Sequence, residues 1–207
     1  MTRRKEEAER TRETILDAAE ATFLAQGVSR TTLAHIAKAA GVTRGAIYWH
    51  FEDKAALFDA LLERVRIPID EIVDLAEQGA PTFPADRLRQ IALGALKRMH
   101  DDRQLQRVST IVFHRCEKLE DYHPRISVIT RLSQHAQTRV EQLFEAAKQQ
   151  GTLRAGLTPT SARRQFHMLL IGACFDWLQD IEQYSLAEER DAIVETLMRG
   201  LFVIEPD

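Results

Sequence analysis

This sequence predicts an all-α protein of about nine helices, with a small N-terminal helical domain and a larger C-terminal bundle. Three observations lead there. Apolar residues recur at three- and four-residue spacing, and nothing alternates as a strand. Ser, Thr and Asp caps, prolines and glycines fall where those patterns start and stop. The chain has 207 residues, enough for a small domain plus a medium one, and at this size about 70% of the unfolded surface is buried.

Taken in order, residues 2 to 8 are polar and read as a mobile arm. A first helix follows from about Glu9 to Gln26, with Ile15, Ala18 or Ala19, Thr22 and Phe23 as its apolar stripe. Gly27 sits at its C-cap. Thr31 or Thr32 caps a second helix, Leu33 to Ala40, and a third spans Arg44 to His50. Asp53 caps a fourth, whose apolar side is Leu57, Phe58, Leu61 and Val65. Phe23, Ile36, Val42, Ile47 and Phe51 supply a small core that this helix closes. Pro68 bends or breaks the fourth helix, which continues to about Ala76. Residues 78 to 86 are a loop. Leu88, Ile91, Ala92, Leu96 and Met99 mark a fifth helix, and Leu105, Val108, Ile111, Val112 and Cys116 a sixth. The seventh starts near Pro124 and runs to about Gln150. Thr158-Pro159 opens an eighth helix, running to about Ile181, that is apolar on more than one side. Ser185 and Glu188 form a capping box for the ninth, on which Ile193, Val194, Leu197, Met198, Leu201 and Phe202 offer two apolar sides.

The stretch LAHIAKAAGVTRGAIYWHF, residues 33 to 51, organises the chain. Two short helical patterns flank Gly41, where a tight turn needs positive φ. This is the layout of a helix-turn-helix, whose second helix enters the DNA major groove. Arg44 opens that helix and suits guanine O6 and N7. Thr43 caps it and can bond a phosphate. Gly45 lets backbone approach DNA, and Tyr48 lies one turn past Arg44 on the same face. Thr32, at the start of the preceding helix, can contact the DNA backbone. The spacing leaves Trp49 open between the groove and the core.

Composition narrows the remaining classes. Formal net charge is -3, with +2 on residues 1 to 51 and -5 on the rest, a weakly basic head on an acidic body. Cys116 and Cys174 lack C-x-x-C spacing and read as reduced apolar-site residues. His114 and Cys116 diverge around a helix, so no metal site is expected. No nucleophile elbow, phosphate loop or H-E-x-x-H occurs, so neither enzyme activity nor a cofactor is expected. No apolar run approaches the ~20 residues of a membrane span, and no secretory signal opens the chain. The expected setting is cytoplasmic, without membrane contact.

The segments TRETILDAAEATFLAQG, TTLAHIAKAAGV and TRGAIYWHFEDKAALF resemble the tetracycline-repressor (TetR) family of one-component regulators, over residues 11 to 62. IVFHRCEKL, residues 111 to 119, with TRGAIYWHF, resembles its multidrug-efflux-repressor branch. Arg115 stands where that branch often has lysine. The resemblance implies a helix-turn-helix DNA-binding domain at residues 9 to 55 and a ligand-binding and dimerisation domain at 56 to 205. It implies a homodimer on a palindromic double-stranded operator, released by a small hydrophobic inducer. It adds His50 and the phosphate-binding lysine, Lys54, to the DNA-contacting set. On the ligand side it implies Val65, Arg66, Ile69, Ser109, Phe113, His167, Leu170, Ile171 and Cys174, with Leu88, Ala92 and Leu96 less firmly placed across the loop. Plain core packing is the other reading of each. The last two helices would make the dimer, with Trp177, Leu178, Leu197 and Leu201 as interface or core. The expected function is repression of a multidrug efflux operon. Control of a metabolic or lipid pathway, or ligand-independent repression, is the alternative.

Overall fold

The computed structural model describes residues 3–65, 83–116 and 134–203. The described residues form nine helices: α1 Arg3–Gln26, α2 Leu33–Ala39, α3 Arg44–His50, α4 Lys54–Arg64, α5 Pro84–Asp101, α6 Arg103–His114, α7 Gln134–Gln149, α8 Pro159–Trp177 and α9 Leu186–Leu201. Extended pairing among them is limited to one isolated bridge, Leu153 with Phe202. No helix among the described residues is long and apolar enough to cross a membrane.

The chain divides into two compact units, and the division does not follow chain order. The first unit is residues 1–66 with 104–129, and the second is 67–103 with 130–207. In the first unit α1 packs on α2 and α4, and α2 on α3. Ile15, Leu16, Ala19 and Phe23 of α1 are buried with Ile36, Ile47, Leu57, Phe58 and Leu61. Phe23 and Phe58 meet edge to face, with ring centroids 6.0 Å apart. α6 belongs to this unit from Gln104 onward.

In the second unit α5 packs on α9, α7 and α8, and α8 packs on α7 and α9. Phe144 stacks on Phe202 and meets Phe166 edge to face. Arg89 bridges α5 to Glu195 of α9, and Arg163 of α8 bonds Glu141 of α7 at 3.0 Å.

The local punctuation acts as its chemistry predicts. Thr32, Thr43 and Asp53 each accept an N–H three residues on, at His35, Ala46 and Ala56. Gly41 turns at φ 67° and Gly27 at φ 81°. Thr158 and Ser161 close a reciprocal capping box before α8. At Ser185 the hydroxyl accepts from the Glu188 amide, one half of the expected capping box.

Three expectations change. α5 opens at Pro84, inside the expected loop of residues 78 to 86, because proline suits the first turn of a helix. Residues 3 to 8 are helix, not a free arm. Strong helix formers without Gly or Pro continue α1 backwards, and Arg3 pairs with Glu7 one turn on. α8 ends at Trp177 instead of Ile181, because Leu178 takes the C-cap and bonds back to Cys174. The expected bend at Pro68 lies outside the described residues.

Candidate nucleic-acid interface and sensor elements

The turn Ala40–Thr43 sets α3 against α2, and α3 is pinned by one side chain. Ile47 is fully buried, and Phe51 just past the helix is nearly so. At 100° per residue, Gly45 and Trp49 then lie opposite the core, with Arg44 and Tyr48 flanking. Thr32, Thr43, Arg44 and Gly45 are exposed. Tyr48 is 48% exposed and Trp49 73%, so Trp49 is not a core residue. The Arg44 guanidinium sits 5.7 Å from the centre of the Tyr48 ring, which orders a long cation on the outer face. A Cβ on Gly45 would meet only the Thr43 hydroxyl, at 3.9 Å. Nothing inside the protein therefore demands glycine there.

His50 is half-buried, with the Trp49 ring edge-on at 4.6 Å. Partial burial, then the Arg12 guanidinium, pushes its pKa below the ordinary histidine value, and Glu9 opposes. The shift favours the neutral ring, which offers one N–H. Arg12 itself lies over the Phe51 ring at 5.5 Å.

Lys54 departs from the simple expectation of a phosphate ligand. It is half-buried, and its ammonium donates to the Val28 carbonyl at 2.8 Å and the Thr31 carbonyl at 2.9 Å. Burial pushes its pKa down, and Cys116 opposes slightly. The Val28 N–H in turn donates to the Arg115 carbonyl at the end of α6, at 2.9 Å.

α1 carries three carboxylates along one side, which the sequence reading did not single out. Arg64 of α4 bonds Glu13 and Asp17, the latter at 2.7 Å. Arg107 of α6 bonds Glu20 at 2.7 Å. Glu20 is only 4% exposed, and burial raises its pKa while Arg107, Gln104 and Arg64 pull it back. The available signal was its position. Glu20 falls between Leu16 and Phe23 at helical spacing, and a charge on an apolar stripe implies a partner.

The expected ligand residues divide between the units. Val65 caps α4, and Ser109 and Phe113 lie on α6, all in the first unit. Val65 and Ser109 are buried and Phe113 is half-buried. In the second unit His167, Leu170, Ile171 and Cys174 share one face of α8. The first three are half-buried and Cys174 is buried, its thiol pushed up to about 12 by burial. Leu88, Ala92 and Leu96 are buried in α5. Arg66 and Ile69 lie outside the described residues.

Trp177, Leu178, Leu197 and Leu201 are all buried within the single chain. Trp177 donates its indole N–H to the Tyr184 carbonyl at 3.2 Å. These four therefore serve the protomer core. The exposed apolar side chains of α8 are Met168, Leu169 and Phe175, on the side where Gly172 is also exposed.

Residues 15–61 match the bacterial regulatory proteins of the tetR family, and residues 83–203 match the C-terminal region of the MAATS-type transcriptional repressors. The chain is similar to the HTH-type transcriptional repressor BepR of Brucella suis biovar 1 (strain 1330). The two are 34% identical over 201 residues, which cover 97% of this chain and 96% of the relative. Among solved structures it is similar to NalD, described as the secondary repressor of the MexAB-OprM multidrug efflux pump in Pseudomonas aeruginosa. That likeness has a TM-score of 0.81 at 35% identity and covers 95% of this chain and 98% of NalD. The SmeT–triclosan complex gives a TM-score of 0.71 at 28% identity, covering 95% and 93%. SmeT is described as the repressor of the Stenotrophomonas maltophilia multidrug efflux pump SmeDEF.

Proposed function

The chain belongs to the tetR family of bacterial regulatory proteins, and on that premise we propose that it represses a multidrug efflux operon and is released from its operator by a hydrophobic compound. It is a ligand-responsive, helix-turn-helix transcriptional repressor that acts as a homodimer. The observation that carries the efflux reading is the full-length likeness to NalD, at 35% identity and TM-score 0.81.

On this reading α3 enters the major groove. Arg44 pairs with guanine, Tyr48 supports it and reaches a thymine methyl group or a phosphate, and Gly45 admits the DNA backbone closely. Thr32, Thr43 and His50 bond phosphates. A dimer carries two such helices, so the operator is palindromic, with half-sites separated by whole helical turns. On the inducer side the candidate contacts are Val65, Ser109 and Phe113 in the first unit and, separately, His167, Leu170, Ile171 and Cys174 on α8 in the second. The dimer face of α8 uses Met168 and Leu169, because Trp177, Leu178, Leu197 and Leu201 are already spent on the core.

The test starts with operator selection from a random duplex library, followed by fluorescence-anisotropy titration. A panel of hydrophobic drugs that includes triclosan is then added. At least one compound should weaken operator binding by about tenfold or more, a coupling of ~1.4 kcal/mol. Ile171→Trp and Cys174→Lys should abolish that response while ligand-free operator binding survives. If no drug acts but a fatty acid or other metabolite does, the efflux reading fails and pathway control replaces it. If pocket variants respond like wild type, the inducer site lies elsewhere.

A further inference from the structure

We infer that Lys54 is a positioning residue for operator binding, which fixes the reading helices by tying the start of α4 to the α1–α2 connection. The inference rests on the DNA-binding role of α2 and α3 and is independent of any inducer.

The connection from Gly27 to Thr32 is short, and Gly27, Val28 and Thr31 turn inward while Ser29, Arg30 and Thr32 are exposed. Val28 is 1% exposed and Thr31 fully buried. Every polar handle it offers there is taken. The Thr31 hydroxyl donates to the Gly27 carbonyl at 2.8 Å, and the Thr31 N–H to the Val28 carbonyl at 3.3 Å. The Val28 N–H goes to Arg115 at the end of α6. The remaining pull comes from Lys54, whose ammonium holds the Val28 and Thr31 carbonyls together. One cation thus neutralises two buried carbonyl dipoles, from 26 and 23 residues away in sequence.

The consequence falls on the next residue. Thr32 N-caps α2 by accepting from the His35 amide, and Gly41 then passes α2's orientation to α3. Shifting the Thr31 carbonyl shifts that cap and with it the docking angle of α3. A lysine that only met a phosphate would gain most from reaching into solvent. Here two of the three ammonium hydrogens point into the protein, and the side chain is half-buried. Removing the ammonium leaves both carbonyls without their charged donor and frees the connection.

Phosphate contact and positioning predict different salt behaviour. Each phosphate contact contributes about 0.9 to the slope of log K against log salt concentration. Lys54→Met keeps the hydrocarbon stem and removes the ammonium. Its operator affinity should fall by about tenfold or more with the salt slope equal to wild type. Its affinity for a scrambled duplex should change much less, so the specific-to-non-specific ratio shrinks. The amides of residues 28 to 40 should exchange hydrogen faster. Stoichiometric titration reads the active fraction separately. A merely structural role would lower that fraction while leaving the affinity ratio of the remaining protein intact, and would overturn the inference. A slope lowered by about one contact, with equal losses on both duplexes and unchanged exchange, would also overturn it and make Lys54 a phosphate ligand. Should Lys54→Met not fold, Lys54→Gln keeps amide donors without charge. It should retain part of the specificity at the wild-type slope; a reduced slope with specificity intact would refute positioning.

Discussion

Replacing Arg107 with alanine probes the attachment of α6 to α1. The Glu20 carboxylate is 5% exposed and Arg107 is 52% exposed, with 2.7 Å between them. Stripping one partner from a fully buried pair costs about 3–5 kcal/mol. Water reaches the exposed half of this pair, and Gln104 still bonds Glu20. We expect about half the buried figure, ~2 kcal/mol at neutral pH, or roughly 4–8 °C in Tm for a chain of this length. The sign with pH follows from the carboxyl group. Burial already raises the folded pKa of Glu20 above 4.5, and Arg107 is the first influence holding it down. In Arg107→Ala the folded pKa climbs further. A carboxyl whose folded pKa is raised destabilises the fold as pH climbs through its unfolded value, and the penalty is complete above the folded one. The deficit relative to wild type should therefore be full at about pH 7.5 and mostly gone near pH 4.5, where Glu20 is largely protonated in the folded variant. Thermal unfolding by circular dichroism at fixed protein concentration reads both points. Arg107→Lys should recover much of the loss. An equal deficit at both pH values would refute the reasoning, because it would assign the loss to packing instead of a stranded charge.

Three further outcomes are expected. Tyr48→Phe keeps the ring beside Arg44 and should hold operator affinity within about threefold, whereas Tyr48→Ala should lower it by about tenfold or more; equal losses in anisotropy titrations would remove the stacking argument. Leu169→Glu places charge on an exposed α8 position and should yield folded monomers by sedimentation equilibrium; an unchanged dimer would move the interface off that face. Iodoacetamide at about pH 8 should alkylate half-buried Cys116 well before Cys174, whose thiol at about 12 is ionised to roughly one part in ten thousand; faster labelling of Cys174 in peptide mass spectra would contradict its burial.

What the sequence disclosed well is what a few adjacent residues decide. Thr32, Thr43, Asp53 and Thr158 cap helices because a hydroxyl or carboxylate needs only an amide three residues on. Gly41 turns because its own backbone permits positive φ. The pattern of apolar residues starts α1 at about Glu9, six residues late, because the stretch before it is polar and charge-rich; its i,i+4 charge pairing and lack of breakers nonetheless favour helix. Partners distant in sequence were not legible. The carbonyls that hold Lys54 carry no side-chain signature at all, and Arg107 lies far along the chain from Glu20. Helix α8 shows a different limit. Apolar residues on two sides announce two buried or partnered faces but not which is which. Trp177 and Leu178 fell to the core, while Met168 and Leu169 remained outside.

The carboxylates of α1 give the first unit a specific mechanical character. Glu13, Asp17 and Glu20 stand at helical spacing along one side of that helix. Arg64 ends α4 on the first two, and Arg107 joins α6 to the third. An apolar contact tolerates sliding, because burial is non-directional. A guanidinium on two carboxylates is directional, and a buried carboxylate cannot lose its cation cheaply. A displacement of α6 or α4 therefore has two courses. It can break a pair, at the cost of stranding a charge such as Glu20, or it can carry α1 with it. The second course is the cheaper, and α1 packs directly on α2. Effector contacts at Val65, Ser109 or Phe113 would thus reach the reading helices through a rigid shared helix, and the ligand's preference for one placement of α4 and α6 sets how far operator affinity falls.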